Sequence, residues 1–374
     1  MTTLRGIAWA HSRGYVPLVA ASQAWQDLHP EIEIVWDKRS FRGFGEGPLD
    51  EVARDYDLIV FDHPHTGAAA ARRLLLPLDE LTASVGPCAG LSRESYEFEG
   101  HLYGLPIDAA CQTAAYRPDL MDLAGEALPV NWDDVIQLAE RTDRVRCAFS
   151  PMGSLGMLHS ITAGLGAPAG RSGNCYFSQE VGLEAIERLR RLFLACGTDS
   201  LHHSPVRILA ELADTDRVLY APLLYCYSNY ARPGFAPHLV RFAKPAIHAD
   251  GAGATLGGAG MGVSAFSQQC APALAFATWL ISEPCQGGPY LLAQGQPALR
   301  SIWSGEPANQ LTGGFFQDLL PVIDQAYLRP NWPGYGEFQS RAGAIVQGFL
   351  RGADTASSSL QLINRLFEVS SCRA

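Results

Sequence analysis

The sequence predicts an α/β fold divided into two domains, and three observations support this. Predicted strands alternate with predicted helices along the chain, as in a mainly parallel sheet covered by helices. The chain has 374 residues, which is long for one hydrophobic core and indicates two domains. The apolar run Leu58–Phe61 ends in Asp62-His63-Pro64-His65, as a buried strand does where it enters a loop. Ligand clefts of α/β sheets lie at such strand ends.

Apolar periodicity gives the order of the elements. The first strands and helices are predicted at Leu4–Ala10, Tyr15–Leu28, Ile32–Trp36, Pro48–Ala53, Leu58–Phe61 and Thr66–Leu75. Asn131 precedes Trp132, Asp133 and Asp134, which predicts a helix start with Asn131 as N-cap and acidic residues in the first turn. Later helices are predicted at Val181–Leu194, Ala271–Ser282, Phe315–Leu328, Gln339–Leu350 and Ser357–Val369.

The composition argues against several kinds of partner. The net charge is -10 at pH 7, whereas nucleic acids and anionic membranes bind basic surfaces. No apolar run approaches the ~20 residues of a membrane span. The two lysines, Lys38 and Lys244, lie in no setting that favours Schiff-base chemistry. We therefore expect a monomer without cofactor that neither binds nucleic acid nor inserts into a membrane.

The N-terminus and the cysteines predict a cytoplasmic protein. Residues 1–9 lead directly into a strand and lack the apolar segment and cleavage site of a secretion signal. The nine cysteines are an odd number without Cys-x-x-Cys spacing, which favours free thiols in a reducing compartment. If a leader preceded Met1, the protein would instead be periplasmic or extracellular.

A series of short motifs runs through the chain in a characteristic order. They are GHLYGLPID at Gly100–Asp108, PVNWDD at Pro129–Asp134, YCYSNY at Tyr225–Tyr230, ATLGGAGMGVS at Ala254–Ser264, FATWLIS at Phe276–Ser282, GQPALR at Gly295–Arg300 and LRPNWP at Leu328–Pro333. Together they resemble the ABC-type extracellular solute-binding proteins of family 1, which include maltose- and other sugar-binding members. The cysteines, the missing export signal and the His-Pro-His sequence depart from the family pattern.

The resemblance implies a two-lobed, periplasmic-binding-protein-like fold of type II whose chain crosses a hinge three times. Lobe one would comprise residues 1–107 and 252–307, and lobe two residues 108–251 and 308–374. We expect the lobes to have separate sheets and a ligand cleft between them. The cleft would close on binding, because each lobe supplies part of the contacts. An exported protein would have an ABC transporter permease as partner.

Lobe one offers candidate ligand-binding residues after its first strand. His11, Arg13 and Tyr15 stand at the start of a helix, where an anionic group is favoured. Arg13 could grip a carboxylate with two hydrogen bonds; the alternative is a solvated surface charge. Arg39 and Phe41, after the second strand, belong to the same predicted side of the cleft.

His63 and His65 form a second candidate pair on lobe one. On an extended segment the two side chains would point to one side and contact a ligand or a metal ion. No further ligands complete a tetrahedral site, so we predict ligand contact and no metal. The alternative is a pair of histidines that are satisfied by backbone groups at the strand end.

Lobe two contributes mainly aromatic candidates. Tyr225 and Tyr227 alternate on an extended segment and can present a flat face with a hydroxyl rim. Phe44 is a further candidate for the cleft wall. The remaining candidate ligand-binding residues are Asp108, Gln112, Trp332 and Tyr335. Such a wall suits a sugar and an aromatic acid equally.

Two functional hypotheses follow. The first is a binding protein for a small polar or aromatic ligand, with anionic and sugar-like ligands both open. The second is a cytoplasmic enzyme built on the same fold, with His11, His63, His65, Asp108 or Cys111 in the cleft as the reactive group. The Gly-x-Ser-x-Gly nucleophile motif is missing from the sequence, and Cys111 carries no catalytic signature. We therefore predict binding without catalytic residues.

Overall fold

A computed structural model of the protein describes residues 1–371 apart from 172, 174 and 248–251. The strands are β1 (Thr2–Trp9), β2 (Ile32–Arg39), β3 (Leu58–Phe61), β4 (Glu97–Phe98), β5 (His101–Leu102), β6 (Leu105–Tyr116), β7 (Tyr220–Tyr225), β8 (Arg241–Ala243) and β9 (Leu256–Val263). The helices are α1 (Ser12–Leu28), α2 (Phe41–Gly45), α3 (Asp50–Ala53), α4 (Thr66–Ala71), α5 (Pro118–Ala124), α6 (Trp132–Thr142), α7 (Pro151–Gly164), α8 (Gln179–Cys196), α9 (Pro205–Asp214), α10 (Cys270–Leu280), α11 (Glu283–Cys285), α12 (Arg300–Ser304), α13 (Glu306–Thr312), α14 (Phe315–Asp324), α15 (Tyr335–Leu350) and α16 (Ala356–Ser371).

The main sheet is mixed. Its strands are hydrogen-bonded in the order β2-β1-β3-β9-β6-β7, with β8 also paired to β6. β1 is parallel to β2 and to β3, whereas β9 is antiparallel to β3 and β6, and β6 is antiparallel to β7 and β8. The expectation of a mainly parallel sheet was wrong, because β9 and β6 carry the chain between its two halves in opposite directions.

β6 belongs to both halves of the sheet. Its first part pairs with β9, where Pro106 lies opposite Gly260, and its second part pairs with β7, where Gln112 lies opposite Tyr225. The sheet is therefore continuous through β6, where we expected separate sheets. The β6–β9 register shifts next to Gly258, whose φ of 124° and contact with the Asp108 carbonyl leave no room for a Cβ.

Local sequence signals place most elements correctly. β3 occupies Leu58–Phe61 as predicted, and Asn131 caps α6 through a capping box with Asp134. α4 ends earlier than predicted, because Arg73 has a φ of 52° and Leu75 pairs with Ser264 in the sheet. Tertiary pairing thus overrides the helical periodicity there.

Three apolar cores lie around the sheet. The first packs α1 and α10 against β1–β3 and includes Val60, and the second joins α6, α7, α8, α15 and α16 around Leu158. The third packs α9 and α14 against β6 and β7 and includes Phe316 and, from α12, Trp303. Within the described residues, none of the helices is long and apolar enough to span a membrane.

Candidate functional site

A cavity of about 260 Å³ opens between the two halves of the molecule. Trp9 of β1, Arg13 of α1 and the helix α2 line one side. The start of α7 and the end of β7 line the other. Most ligand sites are concave, mainly apolar and supplied with a few polar groups, and this cavity has that character.

Aromatic side chains form a wall on the α2 side. Trp9 and Phe44 pack with ring centroids 4.8 Å apart, and Phe41 lies beside them with more than a third of its surface exposed. A Cβ on Gly14 would lie 2.3 Å from the Trp9 ring, so only glycine lets this ring lie against α1. Phe41 was predicted from the sequence to bind ligand, whereas Trp9 was not.

The tyrosines of YCYSNY lie on the opposite side. Both Tyr225 and Tyr227 line the cavity, Tyr225 half-buried and Tyr227 buried. A Cβ on Gly257 would come within 2.6 Å of the Tyr225 ring, so the glycine-rich segment of β9 makes room for it. Gln112 also lines the cavity, and its Oε1 accepts a hydrogen bond from Ser160 at 2.6 Å.

Arg13 lines the cavity, but its charge is already matched. Its Nε donates to Asp108 Oδ2 at 2.8 Å and its Nη2 to the other carboxylate oxygen, while Nη1 donates to the Cys226 carbonyl at 2.6 Å. The Tyr227 ring packs over the guanidinium at 4.4 Å. Both members of the ion pair are buried. Arg13 is therefore not a solvated surface charge, and its donors are engaged by protein groups; its contact with a ligand stays a prediction.

A second buried ion pair contributes to the lining. Arg329 Nη2 donates to the two carboxylate oxygens of Asp62 at 3.0 and 3.1 Å, and Nη1 donates to Gln339 at 3.1 Å. The sequence contained signals for both residues, since Asp62 ends β3 and Arg329 lies in the LRPNWP motif. Neither was predicted to be a site residue.

His63 and His65 lie beside the cavity rather than in its wall. They occupy a 3-10 turn, not the extended segment we expected, and both are buried. His65 Nε2 is 3.2 Å from the Gly45 carbonyl. Burial, followed by the charge of Arg329, lowers the pKa of His63 to about 4. His63 Nδ1 lies 3.3 Å from Asp62 Oδ1, whereas its Nε2 has no hydrogen-bond partner among the described residues. Neither ring lines the cavity.

The remaining candidates of lobe one also have structural partners. His11 caps α1 by accepting a hydrogen bond from the Arg13 backbone at 3.1 Å, and burial with the nearby charge of Arg13 lowers its pKa to about 4. Tyr15 lies under the Lys38 ammonium at 4.7 Å. Arg39 donates to the Val60 carbonyl at 2.8 Å, and burial lowers its pKa to about 10. None of these three side chains lines the cavity.

Trp332 and Tyr335 belong to the second core. Their rings pack 4.8 Å apart, and the buried Tyr335 hydroxyl lies 3.2 Å from that of Tyr176. Burial raises the pKa of Tyr335 to about 12. Neither side chain lines the cavity, because both pack against Phe338 of α15 and Trp332 also packs against Phe367 of α16.

Cys111 does not have the surroundings of a nucleophile. A hydrogen bond with Cys226 and complete burial raise the pKa of its thiol well above the ordinary value. Cys111, Cys147, Cys196, Cys226 and Cys285 are buried free thiols, as expected of small apolar residues. Cys372 lies outside the described residues.

Sequence reasoning missed the apolar residues from the middle of the chain. Met152 and Leu155 of α7 and Leu223 of β7 line the cavity. No local pattern distinguishes them from core residues, since a ligand wall and a core use the same side chains. Their position became evident only from the packing of α7 beside β7.

Residues 10–194 match the family model described as bacterial extracellular solute-binding protein. This match spans about half of the chain, which is similar to the family over that region. The resemblance predicted from the sequence motifs is thereby confirmed. A search of curated proteins found no match.

Solved structures of solute-binding proteins share the fold over the whole chain. A maltose-bound MalE3 from T. maritima superposes with a TM-score of 0.87 at 15% identity, covering 99% of this chain and 100% of that one. A tagatose-bound ABC transporter solute-binding protein from Thermotoga lettingae superposes with a TM-score of 0.81 at 18% identity, covering 98% of this chain and 99% of that one. A ribitol-bound ABC transporter solute-binding protein from Agrobacterium radiobacter superposes with a TM-score of 0.81 at 15% identity, covering 98% of each chain. These likenesses confirm the two-lobed binding-protein fold.

Proposed function

We propose that this solute-binding protein captures a small molecule in the cavity between its two lobes and closes around it. The observation that carries the proposal is the origin of the lining. Trp9 and Phe41 come from predicted lobe one, whereas Met152 and Tyr225 come from predicted lobe two. A ligand that contacts both lobes stabilises their closed arrangement over the open one. The solved relatives bound to maltose, tagatose and ribitol support a small solute.

Polar contacts between the two predicted lobes support closure. Asn229 Nδ2 donates to Ser12 Oγ at 3.0 Å, and Arg13 donates to the Cys226 carbonyl. Each contact joins α1 of lobe one to the segment after β7 in lobe two. Such contacts form only when the lobes meet, so they add to the stability of the closed state.

The predicted domain division is retained as part of the proposal, with one adjustment. Lobe one comprises residues 1–107 and the return through β9, α10 and α11, and lobe two comprises the rest. Trp303 of α12 packs in the third core with Phe316. We therefore place the last crossing before α12, near residue 297, instead of at residue 307.

The match to this family supports a place and a partner for this activity. The family is described as extracellular, so we propose that the protein works outside the cytoplasmic membrane and delivers its ligand to an ABC transporter permease. The cytoplasmic location and the monomeric state expected from the sequence stay predictions. Fractionation of the native cells, with detection of the protein in each fraction, decides between the two locations.

The proposed capture is tested by thermal unfolding with a panel of small solutes that spans sugars, polyols, aromatic alcohols and organic acids. A ligand that binds the folded state raises Tm as its concentration rises, and we expect at least one such solute. With that solute, small-angle X-ray scattering should give a smaller radius of gyration. If no solute raises Tm, capture is contradicted; if one does so at an unchanged radius, closure is contradicted.

Tyr225→Ala should weaken binding of the solute found in this way by about tenfold, because an aromatic contact contributes about 1 kcal/mol beyond the area it buries. Tyr225 is half-buried, so the free energy of unfolding of the empty protein should change little. The matched control is Tyr103→Ala, a half-buried tyrosine that does not line the cavity. Calorimetric titration of both variants measures the effect, and equal affinities would place the ligand elsewhere.

A further inference from the structure

The charged side chains that line the cavity are matched in pairs. Three arginines and three carboxylates contribute to the lining. The pairs are Arg13–Asp108, Arg329–Asp62 at 3.0 Å and Arg42–Glu46 at 3.0 Å. The charged groups of the lining therefore sum to zero, and each cation has a carboxylate partner within the lining.

The Arg13–Asp108 and Arg329–Asp62 pairs are buried, so separating either arginine from its carboxylate is unfavourable. The side chains of Arg13 and Asp108 are 4% and 0% exposed, and those of Arg329 and Asp62 are 4% and 11% exposed. A charged ligand would have to lose its own hydration and either stay unpaired or take a partner from one of these pairs. Both routes are unfavourable for an anion and for a cation.

Several uncharged polar side chains of the lining make hydrogen bonds within the protein. Gln112 accepts from Ser160, and Gln339 accepts from Arg329. Ser150 caps α7 by accepting from the backbone of Gly153. These bonds engage only part of the polar lining, since Trp9 Nε1, His159 Nδ1 and Arg329 Nε have no partner among the described residues.

Apolar side chains form most of the rest of the cavity surface. Trp9 and Phe41 face Met152, Leu155 and Leu223 across the cavity. His159, which also lines it, stays neutral because burial lowers its pKa to about 3. Burial of apolar ligand surface against these residues is favourable at about 25 cal/mol per Å².

We propose that the cavity takes an uncharged, largely apolar or aromatic solute and discriminates against organic anions. This rests on the proposed function, since it names the ligand class of the same cleft. Trp9 Nε1 and Arg329 Nε, both buried, have no hydrogen-bond partner among the described residues. The solute is therefore expected to carry an acceptor oxygen, such as a carbonyl or an ether, beside its apolar body.

A matched pair of fluorescent probes tests the ligand class on the full-length chain. N-phenylnaphthylamine is neutral and apolar, and anilinonaphthalene sulfonate is the same aromatic body with one negative charge. We expect the neutral probe to bind saturably at one site per chain, about tenfold or more tightly than the sulfonate. Equal affinity for the sulfonate, or failure of the neutral probe to bind, would overturn the inference.

Two lysine variants test whether the cavity lining causes the preference for the neutral probe. Met152→Lys adds a cation without a carboxylate partner to the lining. It should change the ratio of the two probe affinities by about tenfold in favour of the sulfonate. Leu123→Lys, on an exposed apolar residue of α5, is the matched control and should leave the ratio as in the wild type. An unchanged ratio in a folded Met152→Lys protein would place the probe elsewhere and overturn the inference. If maltose or ribitol raises Tm while the neutral probe does not bind, the proposed ligand class is wrong, whereas the proposed capture of a solute is supported.

Discussion

The variant Arg329→Gln is expected to lose about 3–5 kcal/mol of the free energy of unfolding, because it leaves the carboxylate of Asp62 buried without its cation. Arg329 donates to the two oxygens of Asp62 at 3.0 and 3.1 Å, in a pair that is nearly excluded from solvent. Burial acts to raise the pKa of Asp62, but the charge of Arg329 outweighs it and holds that pKa well below its ordinary range. Urea unfolding at neutral pH measures the loss.

Two further variants separate this effect from a general effect of removing an arginine. Arg341→Gln breaks an exposed ion pair with Glu337 and should change the free energy of unfolding by less than about 0.5 kcal/mol. Adding Asp62→Asn to Arg329→Gln removes the unpaired charge as well, and part of the lost stability should return. A loss below about 1 kcal/mol in Arg329→Gln alone would show that Asp62 finds water or another partner.

Acidification from about pH 7.5 to about pH 5 is expected to destabilise the protein by about 2 kcal/mol for each of two buried histidines. Burial, with the charge of Arg329, lowers the pKa of His63 to about 4 and that of His159 to about 3. In the unfolded chain both would titrate near pH 6.5. Below that pH the unfolded state binds more protons than the folded state, so stability present above pH 6.5 is lost as pH falls toward 4.

Histidine variants identify the source of this pH dependence. His159→Gln should reduce the difference in unfolding free energy between the two pH values by about 2 kcal/mol. His202→Gln, at an exposed site, should keep the wild-type difference. Comparing variants removes contributions from other groups, such as Asp108, whose pKa is raised by burial against the opposing effect of Arg13. A wild-type protein equally stable at both pH values would contradict the buried neutral state of these rings.

Local sequence signals were sufficient for the elements and for part of the cavity wall. The capping box at Asn131 and the apolar run of β3 depend on neighbouring residues alone, so they could be read before the fold was known. Tyr225 and Tyr227 were found because the YCYSNY motif resembles a segment of the family, and Phe41 was found because it follows the second strand.

The chemistry of the cavity could not be predicted in the same way. Arg13 and Asp108 are 95 residues apart in the chain, and Asp62 and Arg329 are 267 apart. Whether an arginine binds an anionic ligand or a protein carboxylate depends on such distant partners, and no local pattern reveals it. The prediction that His63 and His65 point to one side assumed an extended chain, whereas the structure has a 3-10 turn there.

A crystal structure with the most stabilising solute tests the central claim most directly. The solute should lie between Trp9 and Phe41 on one side and Met152 and Tyr225 on the other, with the Arg13–Asp108 and Arg329–Asp62 pairs intact. Density for the solute outside this cavity, or a charged solute that has displaced Asp108 or Asp62 from its arginine, would contradict the account.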